Sequence, residues 1–355
     1  MATPRLRRAL LTGLGALLLL VTTVAGVGCH AFSAPVYRGP KSDHFDGERF
    51  HNLEPRHTRM SFLEWQMNRE RGPWADWTEA PPGPPPPRRV ARGEVRVTFI
   101  NHATTLLQLD GVNVLTDPIW SERCSPVSFA GPKRVRPPGI RFEDLPPIDA
   151  VILSHNHYDH MDVPTLKRLV AQFPNARFFA GLGNKAFLES KGISPVTELD
   201  WWQEARLTPE VKLVSTPSQH FSNRGLDDGN GTLWTSYVLQ GPSGVTFFAG
   251  DTGYGQQFRK VRERFGPVRL AVLPIGAYKP AAFMEVIHVS PGEAVQASVD
   301  LEAKVSVPMH YGTFNLGDDG QEEPVTELRK AIDARPEERK PQWWVLGFGE
   351  GRNVP

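Results

Sequence analysis

The chain has 355 residues, 40% of them hydrophobic and 22% charged, with a formal net charge of +1. Such a length and composition predict one large globular domain with extensions, or two small ones, and the near-neutral balance excludes the strongly basic face that nucleic-acid binding demands. Cys29 and Cys124 are the two cysteines, which excludes a disulfide framework and a cysteine-rich metal site, so any metal must be held by carboxylates and the eleven histidines.

In chain order, residues 1–29 read as an export or anchoring segment. Arg5, Arg7 and Arg8 precede an uncharged, mostly apolar run from Ala9 to Gly28. Gly26-Val27-Gly28-Cys29 then sets small residues before a cysteine, as in bacterial lipoprotein signals, where the cysteine is lipidated after cleavage. The start Arg7-Arg8-Ala9-Leu10-Leu11 is also similar to a twin-arginine signal. An apolar run of this length equally suits an uncleaved membrane-spanning anchor. Every one of these readings places the rest of the chain in the bacterial cell envelope, exported and tied to a membrane by lipid or helix.

Residues 30–92 show no clear periodicity, and Ala80–Pro87 is a proline run that can be neither helix nor central strand. This stretch is expected to be a strap and linker. Its aromatics Phe62, Trp65, Trp74 and Trp77 are expected to pack it onto the following domain rather than to meet lipid. His30, His44, His51 and His57 share no spacing logic with the motifs further on and are discounted as ligands.

From residue 93 to 355 the pattern is regular. Alternation predicts strands at Val95–Phe99, Thr104–Leu109 and Val112–Leu115, with Asp117-Pro118 at a turn. Ala150–Leu153 is a buried apolar run, Val163–Phe173 a helix and Ala176–Ala180 a strand. Further strands are expected at Val211–Ser215, Thr232–Leu239, Val245–Ala249, Leu270–Pro274 and Ala303–Val307. Helices are expected at Gln256–Phe265, Pro291–Val299 and Glu323–Ala334. Two β-rich halves with interspersed helices imply an α/β layered sandwich, sheets inside and helices outside.

Directly after Ala150–Leu153 comes Ser154-His155-Asn156-His157-Tyr158-Asp159-His160. On a turn leaving a strand, His155 and His157 can converge on one ion, while Asp159 and His160 reach a second. Imidazole nitrogens and a carboxylate suit Zn²⁺, whose open position holds a water that ionises near neutral pH. Three more segments each end a predicted strand in a ligand: His220 in Thr216–His220, Asp251 between glycines in Phe247–Gly253, and His310 in Val307–Gly312. His102 and Asp117 are expected to support the site, Asp117 by fixing a turn or a ligand histidine. Lys133, Arg134 and Arg136 read as a solvated basic run, with lipid phosphate as the alternative. Of Trp201, Trp202, Phe221, Trp234, Tyr254 and Phe283, most are expected in the core and one or two along an acyl groove.

This ordered ligand set resembles the metallo-β-lactamase-fold hydrolases. Asn101–Thr104, Leu115–Ile119, Gly131–Arg134, Leu145–Ala150, Glu198–Trp202, Gly250–Tyr254 and Pro274–Tyr278 narrow the likeness to the N-acyl-phosphatidylethanolamine-hydrolysing phospholipases D, from about residue 94 to 318. The resemblance implies a four-layer αββα sandwich and two Zn²⁺ per chain. One ion would be held by His155, His157 and His220 and the other by Asp159, His160 and His310, with Asp251 bridging. Asp159, Asp251 and His288 are then the catalytic candidates, His288 standing beside the site to position the phosphate or protonate the leaving oxygen. It also implies a homodimer and a phospholipid substrate at a membrane surface, cleaved to N-acylethanolamine and phosphatidate. The fold hosts many chemistries, so a lactonase or phosphodiesterase of a small soluble substrate is the competing expectation. A non-catalytic, metal-stabilised envelope protein is disfavoured by the complete ligand set.

Overall fold

The computed structural model describes residues 33–355; the expected leader, with Cys29, and His30 lie outside the described residues. The first six strands are β1 Val95–Asn101, β2 Thr104–Leu109, β3 Val112–Thr116, β4 Ala150–Leu153, β5 Arg177–Gly181 and β6 Val196–Leu199. The next seven are β7 Glu204–Arg206, β8 Lys212–Thr216, β9 Ser236–Gly241, β10 Gly244–Phe248, β11 Leu270–Pro274, β12 Val305–Met309 and β13 Gly351–Val354. The helices are α1 Phe62–Met67, α2 Val163–Gln172, α3 Lys185–Ser190, α4 Gln257–Phe265, α5 Ala281–Met284, α6 Pro291–Asp300 and α7 Glu323–Asp333.

One sheet runs β13-β1-β2-β3-β4-β5-β6 and the other β12-β11-β10-β9-β8-β7. Strands β3 to β6 pair in parallel, as do β10, β11 and β12, so their carboxyl ends gather on one edge of the sandwich. Alternation along β4 shows how the layers form. Ala150 and Ile152 join the core shared with Phe247 and Leu213 of the opposite sheet, whereas Val151 and Leu153 pack against Leu166 and Leu169 of α2. Phe258 and Val261 of α4, Val295 of α6 and Leu328 of α7 close the core on the second sheet. This is the metallo-β-lactamase fold, two sheets enclosed by helices; both faces of each sheet are covered, which is why β2, β3, β4, β11 and β12 are buried at every position.

Two strands start more than one residue from where they are expected. The strand expected from Thr232 begins at Ser236, because Leu233 N and Thr235 N donate instead to Leu182 O and Ser154 O, both at 2.8 Å. The strand expected from Ala303 begins at Val305 and runs to Met309, carrying it to His310.

The stretch ahead of the domain is seated on it by polar clamps. Trp65 is buried, stacks on Phe283 at 5.1 Å and donates to Asp318 Oδ2 at 2.9 Å. Trp74 Nε1 donates to Asp319 O at 2.8 Å. Phe62 and Trp77, also expected to pack, are 60% and 43% exposed. No helix of the described residues is long and apolar enough to cross a membrane.

Candidate metal centre

Every predicted ligand comes to the edge where the parallel strands end. His155, His157, Asp159 and His160 follow β4, His220 follows β8, Asp251 follows β10 and His310 follows β12. Gly250 (φ 59°) makes the approach of β10 possible, since any side chain there would collide with Ser154. A side chain at Gly276 would collide with the His310 carbonyl in the same way.

The donor atoms form two adjoining groups. His155, His157 and His220 converge with His155 Nε2 2.8 Å and His220 Nε2 3.3 Å from His157 Nδ1. Around Asp159 stand His102, His160 and His310, their Nε2 atoms 2.9, 3.2 and 3.3 Å from its Oδ2. Asp251 lies between the groups, with Oδ2 3.1 Å from His160 Nε2, 3.0 Å from His310 Nε2 and 3.9 Å from His220 Nε2. Ligands at ~2.0–2.1 Å from one tetrahedral ion are separated by roughly 3.3 Å, so these spacings match edges of a coordination shell. The hydrogen bonding agrees: His160 Nε2, His310 Nε2 and Asp251 Oδ1 are buried and make no hydrogen bond despite their close neighbours. Buried polar atoms left unpaired are costly, and a divalent cation among them would satisfy all three. The residues present therefore fit a metal site.

Outer contacts fix which nitrogen three of the rings turn inward. His160 Nδ1 faces Asp117 Oδ2 at 2.7 Å, and Asp117 Oδ1 accepts from Ser154 N at 2.7 Å. Ser154 Oγ also lies 2.9 Å from His155 Nδ1, and His220 Nδ1 faces Ile287 O at 2.9 Å. Such partners orient metal-binding histidines and raise their basicity. Asp117, buried and in a left-handed turn (φ 33°), thus both makes a turn and holds a histidine. Ser154 and Ile287 were not foreseen; the first adjoins the motif, and the second acts through a carbonyl that carries no sequence signal. Asn52 was missed as well. It donates to His220 O at 2.9 Å and accepts from His220 N at 3.1 Å, a clamp from the segment that shows no periodicity.

Charge is divided across the centre. Burial among other rings drives His155 and His220 well below the usual histidine range and His157 down to about 4, so this trio is neutral and ready to coordinate. Burial acts against charge on His310 too, but Asp251 and Asp159 outweigh it and push it up to about 9. His160 is raised in the same manner by Asp251, Asp159 and Asp117. Burial works against ionisation of Asp159 and Asp251 as well, yet the surrounding histidines hold both well below the carboxylate range.

His288 lies beside the cluster as expected, its Nδ1 buried, without a hydrogen bond and 3.8 Å from Asp251 Oδ2. A cavity of about 590 Å³ opens over His157 and Asp159 between Phe62, Phe221, Phe283 and Leu316. A smaller adjoining one, about 190 Å³, reaches Asp251, His288 and His310. Of the six aromatics considered for a groove, Phe221 and Phe283 line it, while Trp201 and Trp234 are core. The basic run is not simply solvated: Arg134 is buried, donating to Ser121 O and Ile119 O, because this loop folds back on itself. Lys133 pairs with Glu122 at 2.8 Å, and Arg136 stacks over Phe348 at 4.0 Å. His44, discounted as a ligand, stays away from the cluster, stacked on Trp201 and bonded to Asp200 at 2.7 Å.

A sandwich with a His/Asp cluster at its strand ends is the architecture of metal-dependent hydrolases, and the chain belongs to the β-lactamase superfamily, whose domain matches residues 112–311. Within it, the chain is 38% identical over 263 residues to N-acyl-phosphatidylethanolamine-hydrolyzing phospholipase D 1 of Caenorhabditis elegans, covering 71% of this chain and 74% of that protein. An uncharacterized protein of Mycobacterium tuberculosis is 37% identical over 322 residues, 88% of this chain and 85% of its own. That alignment reaches into the segment before residue 90. Among solved structures, the metallo hydrolase Igni18 of Ignicoccus hospitalis shares the fold, with a TM-score of 0.55 and 23% identity over 74% of this chain and 99% of that one.

Proposed function

We propose that this chain is a dinuclear zinc phosphodiesterase of the phospholipase D type. It hydrolyses N-acyl-phosphatidylethanolamine or a related phospholipid to N-acylethanolamine and phosphatidate at a membrane of the cell envelope. The observation that carries the reading is the donor cluster at the floor of a cavity walled by Phe62, Phe221, Phe283 and Leu316, which suits a charged phosphodiester joined to acyl chains. The kinship with a phospholipase D of this name supports the substrate class.

In this reading His155, His157 and His220 would hold one ion and Asp159, His160 and His310 the other, with Asp251 placed between the two groups. Ions so held supply a nucleophile at neutral pH and neutralise charge growing on a phosphoryl oxygen. The chain's own part is orientation and exclusion of water. Asp117, Ser154 and the Ile287 carbonyl lock the histidine rings, so the donor geometry is built before substrate arrives. The donor set has only two carboxylates, which leaves the metal-loaded floor net cationic and attractive to a phosphodiester anion. His288 stands at the cavity wall, and burial pushes its pKa down to about 4, so it is a neutral ring placed to hydrogen-bond the phosphate and not an imidazolium acid. Phe221 and Phe283 keep the acyl region dry.

The test is turnover by zinc-loaded protein of N-acyl-phosphatidylethanolamine in vesicles beside soluble diesters and lactones. Release of N-acylethanolamine and phosphatidate supports the proposal. Turnover confined to soluble substrates transfers the assignment to the competing hydrolase reading.

A further inference from the structure

The five most exposed large hydrophobic side chains among the described residues stand on segments that line the cavity. Helix α1, held by a capping box between Ser61 and Glu64, turns Trp65 onto Phe283 and leaves Phe62, Leu63 and Met67 exposed at 60, 67 and 71%. Phe129 (82%) follows Cys124 in one loop, and Leu226 (84%) follows Asn223 and Arg224 in another; Cys124, Asn223 and Arg224 line the cavity. Isolated exposed apolar residues are ordinary, whereas several around one opening mark a contact surface.

The contacts of Ser33 and Ala34 say what that surface meets. Ser33 Oγ bonds Asp227, and Ala34 N donates to Asp228 Oδ2 at 2.7 Å, so the chain enters the fold on the loop that carries Leu226. The apolar run Ala9–Gly28 ends five residues earlier, and five residues span at most ~18 Å. A bilayer that receives this run is therefore within reach of the cavity rim. Exposed Arg56 and Arg71 bracket α1, against the exposed acids Glu64, held in the capping box, and Glu70, and suit the headgroup level on either side of an apolar wedge.

We propose that α1 and the Phe129 and Leu226 loops form a lipid-docking rim that seats the cavity mouth on the bilayer holding residues 9–28. The two acyl chains of a phospholipid then stay largely in the membrane while its headgroup phosphate rises into the cavity. This orientation rests on the phospholipid reading of the site, and its test separates the two.

Full-length protein is reconstituted in phosphatidylethanolamine–phosphatidylglycerol vesicles with brominated acyl chains, with a fluorescent amino acid replacing Leu63, Leu226 or Pro242. Pro242 lies in the β9–β10 turn, at the sheet end opposite the metal cluster. Strong quenching at positions 63 and 226 and little at 242 is expected; equal quenching at all three, or quenching only at 242, overturns the rim. Quenching requires no turnover, so a wild-type protein inactive on every phospholipid would refute the substrate class while the quenching pattern still decides the orientation. In parallel, the Leu63→Ser/Met67→Ser/Leu226→Ser variant should lose at least about tenfold of its turnover on vesicles and stay within about twofold on a water-soluble short-chain diester. An unchanged vesicle rate would also overturn the rim.

Discussion

Replacing Asn52 with alanine tests whether the segment ahead of the catalytic domain is part of the metal centre's support. The side chain donates to His220 O, accepts from His220 N and accepts from Trp234 Nε1, at 2.9, 3.1 and 2.9 Å. Trp234 Nε1 retains Ser218 O at 3.0 Å and is not orphaned by the change. The His220 N–H and C=O lose these partners beside a fully buried ring. An unsatisfied buried donor or acceptor costs ~1–3 kcal/mol, so two of them cost about 2–6 kcal/mol, and the low end, about 2 kcal/mol, is expected because Asn52 is half-buried and water can enter. The same loss loosens the His220 ring, and partners that orient metal-binding histidines are worth roughly 10–100-fold in metal affinity. Urea denaturation of the metal-loaded protein and competition with a chelator measure the two effects. A shift under about 0.5 kcal/mol, the scale of an ordinary surface change, with unaltered metal affinity would refute the clamp.

Asp251→Asn should abolish turnover and lower the metal content while leaving the fold intact; full metal occupancy with normal turnover, read by elemental analysis and assay, would remove Asp251 from the bridging position. Asp117→Asn should weaken metal binding by about 10–100-fold, measured by chelator competition, because His160 Nδ1 loses its carboxylate partner. His44 gives a pH dependence. Burial opposes its charge, but the Asp200 and Asp43 carboxylates bonded to it raise its pKa above the ordinary value. Its contribution to stability is therefore complete below the unfolded value of about 6.5 and is lost as pH rises through the folded value. Hydrogen exchange of residues 42–52 should quicken across that window beyond its intrinsic pH trend in the wild type, and His44→Gln should abolish that excess; the same excess in both would contradict the assignment.

The cluster of candidate ligands was legible in the sequence because coordination chemistry restricts residue type more tightly than packing does. His155 to His160 announce themselves by spacing, and His220, Asp251 and His310 by ending apolar strand patterns. The long buried strands and helices were legible for the same periodic reasons. What escaped lacks a local cause. β6, β7 and β13 are short and partly polar edge strands, exposed at several positions, with no continuous apolar run to mark them. Asn52 reaches His220 across 168 residues, and nothing around it hints at that contact. Arg134 looked like a solvated charge because its partners are backbone carbonyls, which no sequence pattern reveals. The exposed face of α1 was obscured because Phe62 and Trp65 are both aromatic, yet only Trp65 turns inward.

Hydrolysis in heavy-oxygen water tests the central claim most directly. Zinc-loaded protein acting on N-acyl-phosphatidylethanolamine vesicles should place the solvent label in phosphatidate and none in N-acylethanolamine, because in the proposed mechanism the cluster beneath the cavity would deliver solvent oxygen to phosphorus. Label in the ethanolamide would mean that a carbon–oxygen bond breaks instead, and absence of turnover on any phospholipid would contradict the account.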